Sequence, residues 1–207
     1  MNLKKNGVFF LLGIAILAVI ITFLALPNAV NADVLRSAVR FFGLYGYLFL
    51  SVTVLVTPFL PEVTQAFGKP FLKIHHSFAA LGLVLITLHP ISNALESNLS
   101  VFVPNFTSWT TFWTLAGRPA FFIVYIAVFA AFLRAKALRF WRIFHALMYV
   151  ALFFGIVHAN IFGNDFQNLG IMLIFDALFI ATLAGFTFKR SRNYRLKRRI
   201  ASDNKEK

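Results

Sequence analysis

The sequence predicts an all-α integral membrane protein, a six-helix bundle with both termini on the cytoplasmic side. Three observations predict it. Of 207 residues, 59% are hydrophobic and only 13% charged, and the mean hydropathy is +0.77, far more apolar than a soluble domain. Six segments approach or exceed the roughly 20 apolar residues that a helix needs to cross the hydrocarbon core. Four of the five histidines fall in two widely spaced pairs inside those segments.

In chain order, the predicted spans are 8–26, 41–60, 74–95, 112–132, 140–162 and 169–188. The first follows Lys4 and Lys5. It also resembles a secretory signal with small residues at 30–32, but its apolar run of 19 residues exceeds the usual ~7 to 15 of a signal, which favours a retained helix. The second span stops near Pro61. The third and fifth carry the histidines. Pro27, Pro61, Pro104 and the Gly163-Asn164-Asp165 turn mark the expected ends.

The fourth span is less regular. Only fifteen residues run from Pro119 to Leu133, so the crossing is expected to begin earlier and kink at Pro119, drawing Arg118 into the outer part of the membrane. The other reading starts the helix at Pro119 and leaves Arg118 at the water boundary.

Orientation follows from charge. Placing Lys4, Lys5, Lys69, Lys73, Arg134, Lys136, Arg139, Arg142 and the tail inside accounts for 17 of the 20 cations, leaving Arg36, Arg40 and Arg118 outside. The formal charge of +13 is therefore explained by topology and anionic lipid and gives no reason to expect nucleic acid. The organisation is an N-terminal helix and outer loop over 1–40, a membrane domain over 41–188 and a basic tail over 189–207.

The chain lacks cysteine, which excludes disulfides, iron–sulfur clusters and thiol chemistry. GxGxxG, P-loop, HExxH and Gly-x-Ser-x-Gly patterns are absent too, so the usual nicotinamide, flavin and hydrolase sites are not expected.

His75 and His89 are fourteen residues apart, and His145 and His158 thirteen. At 1.5 Å per residue these spacings are roughly 21 and 19.5 Å along parallel helices, so His75 matches His145 in depth and His89 matches His158. Imidazoles at membrane depth mark function, and two such pairs could clamp two stacked haems. Zinc-type sites need clustered ligands and fit less well. Helical phase keeps His75 and His89 on one face, whereas thirteen residues leave His145 and His158 roughly 140° apart. Either the fifth helix is distorted near Gly155, or the two sites lie on different sides of it. His76 is the alternative to His75 as inner ligand.

Arg142, beside Trp141, and Arg118 are candidates for holding acidic groups of a cofactor. For Arg118, an ion pair with Asp176 of the sixth span is an equal alternative. Pro90 is expected to kink the third helix beside His89.

The stretches GLYGYLFLSVTVLVTPFL, HHSFAALGLVLITLH and FWRIFHALMYVALFFGIVH resemble the ferric reductase-like transmembrane family. That family includes the membrane parts of NADPH oxidases and ferric reductases and the haem-binding subunits of methionine sulfoxide reductase systems, and the last of these are most similar. The resemblance spans most of 41–188. It implies a cytochrome b-type bundle in the plasma or inner membrane, with haem b, one or two per chain, ligated by His75 with His145 and by His89 with His158. It further implies an electron-transfer component without its own flavin or nicotinamide domain. A cytoplasmic flavin reductase or a membrane quinol would donate, FMN or quinone entering through a partner or interface. An extracytoplasmic reductase or a ferric chelate would accept. The rival expectation is a non-redox transporter or assembly factor that uses Arg118 and Asp176 as polar gates.

Overall fold

The computed structural model describes residues 4–30, 32–136 and 140–203. Asn31, Arg139, Lys205 and Lys207 lie outside the described residues, so the expectations placed on them have no structural counterpart. The described residues form helices and turns, with no strand among them.

Among the described residues nine α-helices follow in order: α1 (Lys5–Ala29), α2 (Val34–Val56), α3 (Leu60–Phe67), α4 (Phe71–Glu96), α5 (Trp109–Thr114), α6 (Gly117–Phe132), α7 (Trp141–His145), α8 (Leu147–Phe162) and α9 (Leu169–Asp203). Six helical stretches, Lys5–Ala29, Val34–Phe67, Phe71–Glu96, Gly117–Ala135, Trp141–Phe162 and Leu169–Arg192, are long and apolar enough to cross a membrane. The chain is a multi-pass membrane protein.

Helix α2 is the axis of the bundle. Leu44, Tyr47, Leu48, Leu50, Ser51, Val52, Thr53, Val54 and Val56 are all buried, the pattern of a helix enclosed on every side. Its main partner is α4, with further contacts to α8 and α9, while α6 packs chiefly on α8. The α2–α4 approach depends on two glycines: a Cβ at Gly46 would lie 2.8 Å from the Ile86 backbone nitrogen, and one at Gly82 2.9 Å from that of Leu50. Small residues permit such close packing where lipid removes the hydrophobic drive between helices.

The alternating crossings define two ends. Lys5, Lys73, Arg134, Arg142 and Lys189 mark a basic end; the α1–α2 connection, the segment between α4 and α6, and the Asn164–Gln167 turn mark the far end. At the basic end α9 runs on past the span. Lys189 Nζ donates to the Thr57 carbonyl at 3.4 Å, and Arg192 pairs with Glu62 at 3.4 Å. At the far end Arg40 closes on the buried Asp165 carboxylate, through Nε at 2.9 Å and through Nη2. Arg40 also donates to the Asn28 and Ala25 carbonyls, tying α1, α2 and the Asn164–Gln167 turn together.

Three sequence expectations change. Pro27 lies inside α1, which continues to Ala29; a proline at this depth costs one hydrogen bond but does not force a stop in a helix packed on neighbours. The fourth crossing is not one helix kinked at Pro119. The chain breaks at Leu115 and Ala116 between α5 and α6, and Pro119 sits in the first turn of α6, where its missing N–H is harmless. The fifth crossing is interrupted at Ala146, immediately after His145, and Gly155 continues within regular α8. There the Tyr149 N–H reaches back three residues to the Ala146 carbonyl at 3.1 Å, a tighter turn that alters the rotation between the two histidines.

Candidate functional site

The four spaced histidines fall into two groups at opposite ends of the bundle. At the basic end, His75 in the first turns of α4 faces His145 at the close of α7, with ring centroids 6.3 Å apart. His76 is exposed, and its ring lies 5.9 Å from that of the neighbouring His75. The geometry therefore singles out His75 as the partner of His145. Two imidazoles bound to one metal from opposite sides at about 2.0 Å place their ring centres about 6 Å apart, and the observed separation suits that arrangement.

At the far end a cavity of about 790 Å³ lies among α2, α4, α6 and α8, and both His89 and His158 line it. Its size falls in the range of about 300–1,000 Å³ typical of small-molecule and cofactor sites. Tyr47, Leu50, Leu152 and Phe175 give it apolar walls, while Arg36, Arg40 and Arg118 contribute positive charge.

The hydrogen bonds of the rings carry chemical information. His89 Nδ1 lies 2.7 Å from the Val39 carbonyl, His158 Nδ1 2.7 Å from the Thr114 carbonyl, and His145 Nδ1 3.0 Å from the Ala127 carbonyl. A carbonyl can only accept, so each Nδ1 carries the proton and each Nε2 presents a lone pair in the neutral ring. Such a bond fixes ring and tautomer for metal binding through the other nitrogen. His75 differs: its buried Nδ1 has no hydrogen-bond partner, although the Thr53 backbone lies nearby.

Two glycines make room for the far-end rings. A Cβ at Gly43 would stand 2.9 Å from His89 Nδ1, and one at Gly117 would stand 2.7 Å from His158 Cδ2 and 3.1 Å from its Nε2. The break between α5 and α6 therefore has a local use. It places the Thr114 carbonyl as acceptor and Gly117 as the adjoining wall for one imidazole.

The charged candidates take different places. Arg118 lines the cavity and donates through Nη1 to the Val103 carbonyl at 2.7 Å. It does not pair with Asp176, whose Oδ1 accepts from Asn160 Nδ2 at 2.9 Å. Arg118 opens α6 at the far end of the bundle, whereas Asp176 lies on α9 against α8, so the expected Arg118–Asp176 pair is not formed. Arg142 is exposed at the basic end, with its guanidinium 5.8 Å from the Trp141 ring centre. The Trp141 and His145 rings are 6.0 Å apart, so Trp141 lies between the basic-end pair and this cation in the chain of contacts.

Sequence reasoning missed Arg36 and Arg40 as cavity residues. Their signal was present: they are cations four apart in the first turns of a span, on the side that charge bias should deplete. Both are matched by acids, Arg36 Nε with Glu96 Oε1 at 2.9 Å and Arg40 with Asp165. Arg118 is the cavity arginine without a carboxylate partner among the described residues. Nor do the described residues contain a cluster of three or more His, Asp or Glu able to hold a metal ion.

No family model, curated protein or solved structure matches the chain.

Proposed function

We propose that the protein is a cytochrome b-type conduit that holds haem b at two depths, one group between His75 and His145 and one between His89 and His158. The carrying observation is the set of Nδ1–carbonyl bonds, which leaves His89, His145 and His158 each with Nε2 as the available donor. Haem held there would supply one-electron transfer, with His75, His145, His89 and His158 as the residues that would hold it.

The remaining work belongs to the polypeptide. The Val39, Ala127 and Thr114 carbonyls lock three rings, so little side-chain entropy remains to be lost on ligation. Gly43 and Gly117 let backbone approach the far-end rings closely. Tyr47, Leu152 and Phe175 give the cavity apolar walls, while Arg118 offers an uncompensated cation to an acidic substituent at its edge. The positive-inside distribution supports a cytoplasmic basic end. A flavoprotein or membrane quinol would supply electrons, and an extracytoplasmic acceptor, a methionine sulfoxide reductase partner or a ferric chelate, would receive them. These partner classes follow from the resemblance to the ferric reductase-like family, and flavin or quinone would arrive with them.

Liposomes reconstituted with the haem-loaded full chain, with dithionite trapped inside and ferricyanide outside, test this directly. Ferricyanide reduction above that of protein-free vesicles is expected, with loss of that excess in His89→Ala and in His145→Ala. Equal rates in wild type, variants and empty vesicles would overturn the proposal.

A further inference from the structure

Asp176 is a carboxylate within the sixth crossing that the histidine site leaves unused. It is half-buried on α9. Asn160 clamps it by donating to Oδ1 at 2.9 Å while also donating to the Ile156 carbonyl at 3.0 Å. Among the described residues no cation pairs with it. Ionisable side chains at membrane depth commonly mark proton or ion sites.

Its position relative to the cavity is informative. The preceding residue, Phe175, is fully buried and lines the cavity. Tyr47 lines it too, packs edge-on against Phe175 with centroids 5.7 Å apart, and is close enough to Asp176 to feel its charge. The Tyr47 hydroxyl is occupied by the Leu152 carbonyl at 3.2 Å. Asp176 therefore directly follows a residue of the wall of the cavity that His89 and His158 line.

Among the described residues, few other ionisable groups sit on the elements packed against this part of α9. On α2 the facing group is Tyr47. On α8, His158 is held by the Thr114 carbonyl, and Tyr149 packs against Phe186, well along α9 towards the basic end. In the Asn164–Gln167 turn, Asp165 is closed by Arg40. Helix α1 has no ionisable side chain beyond Lys5, the Thr57–Phe59 turn has none, and the next on α9 is Lys189.

We propose that Asp176 is a proton-binding site coupled to the charge of the group held by His89 and His158. When one electron from the donor enters that group, one proton from the water at the far end joins the Asp176 carboxylate. The electron's negative charge is thereby balanced inside an apolar bundle, where an uncompensated charge is strongly felt. The inference rests on the haem reading above.

The test is redox titration of the haem-loaded full chain in nanodiscs across the pH range in which it stays folded, with redox-difference infrared spectra on the same samples. The far-end midpoint potential of wild type should fall with rising pH by up to about 59 mV per unit, the one-electron equivalent of a tenfold change in proton activity. Asp176→Asn should make that potential independent of pH and raise it at the alkaline end. Reduction should produce a protonated-carboxyl band in wild type, shifted in Asp176→Glu and missing in Asp176→Asn. If Asp176→Asn does not fold, the Asp176→Glu band shift still decides. Equal slopes in wild type and Asp176→Asn, a pH-flat wild type, or a band that ignores Asp176→Glu would overturn the proposal. Protein that takes up no haem would instead refute the haem reading, so the two failures are distinguishable.

Discussion

Replacing Gly117 by alanine should selectively disable the far-end histidine pair. The added Cβ would lie 2.7 Å from His158 Cδ2 and 3.1 Å from Nε2, whereas carbon atoms pack best at about 3.5–4.0 Å. The ring must therefore retreat by about 1 Å or α6 must shift by as much. Moving the ring stretches its 2.7 Å bond from Nδ1 to the Thr114 carbonyl. Overpacking of this kind costs about 1–3 kcal/mol. Ligation also demands placement within about 0.5 Å, so the loss falls on the cofactor site more heavily than on the fold. The assay is haem content per polypeptide, with the visible spectrum, for Gly117→Ala beside Gly13→Ala, whose Cβ would meet nothing within 4 Å. Gly117→Ala should lose the far-end signal and keep the basic-end one, and Gly13→Ala should match wild type. Full haem content and an unchanged spectrum in Gly117→Ala would refute the geometric reasoning.

Other perturbations separate the remaining parts. Asp165→Asn strands the Arg40 guanidinium, whose side chain is only 14% exposed; breaking such a pair costs about 3–5 kcal/mol, and a lowered thermal midpoint in detergent should report it, with the Arg40→Met/Asp165→Asn double variant partly restored. His76→Ala should leave the basic-end spectrum intact while His75→Ala removes it, and equal effects would contradict the assignment of His75. Arg118→Ala should keep haem binding but lower the far-end midpoint potential, since a cation near an iron favours its reduced form; an unchanged potential would detach Arg118 from the site.

How far the sequence could see depends on what each feature is made of. Six crossings were legible in it because length and hydropathy are summed over many residues and tolerate local error. The levels of the histidines were legible because rise per residue hardly varies between helices. Their rotation was not, because it depends on local breaks such as the one at Ala146, which lies between His145 and His158 and which no residue pattern marks. Gly155 looked like the weak point by residue type alone. The acceptors that orient the rings are backbone carbonyls of Val39, Thr114 and Ala127, which any residue could provide, so no side-chain pattern announces them. Arg118 and Asp176 stand out in the sequence as charges in or beside apolar spans, but hydropathy gives depth and not azimuth. The partner chosen by Asp176, Asn160 on the adjacent helix, could be identified only from helix packing.

The central claim is that paired imidazoles at two depths hold haem b, and a pyridine haemochrome titration per polypeptide tests it most directly. The account predicts two haem b groups per chain, one after His89→Ala or His145→Ala, and none when both histidines are replaced. Wild-type chain purified from haem-replete cells without a haemochrome spectrum, or with haem retained in the double variant, would contradict it.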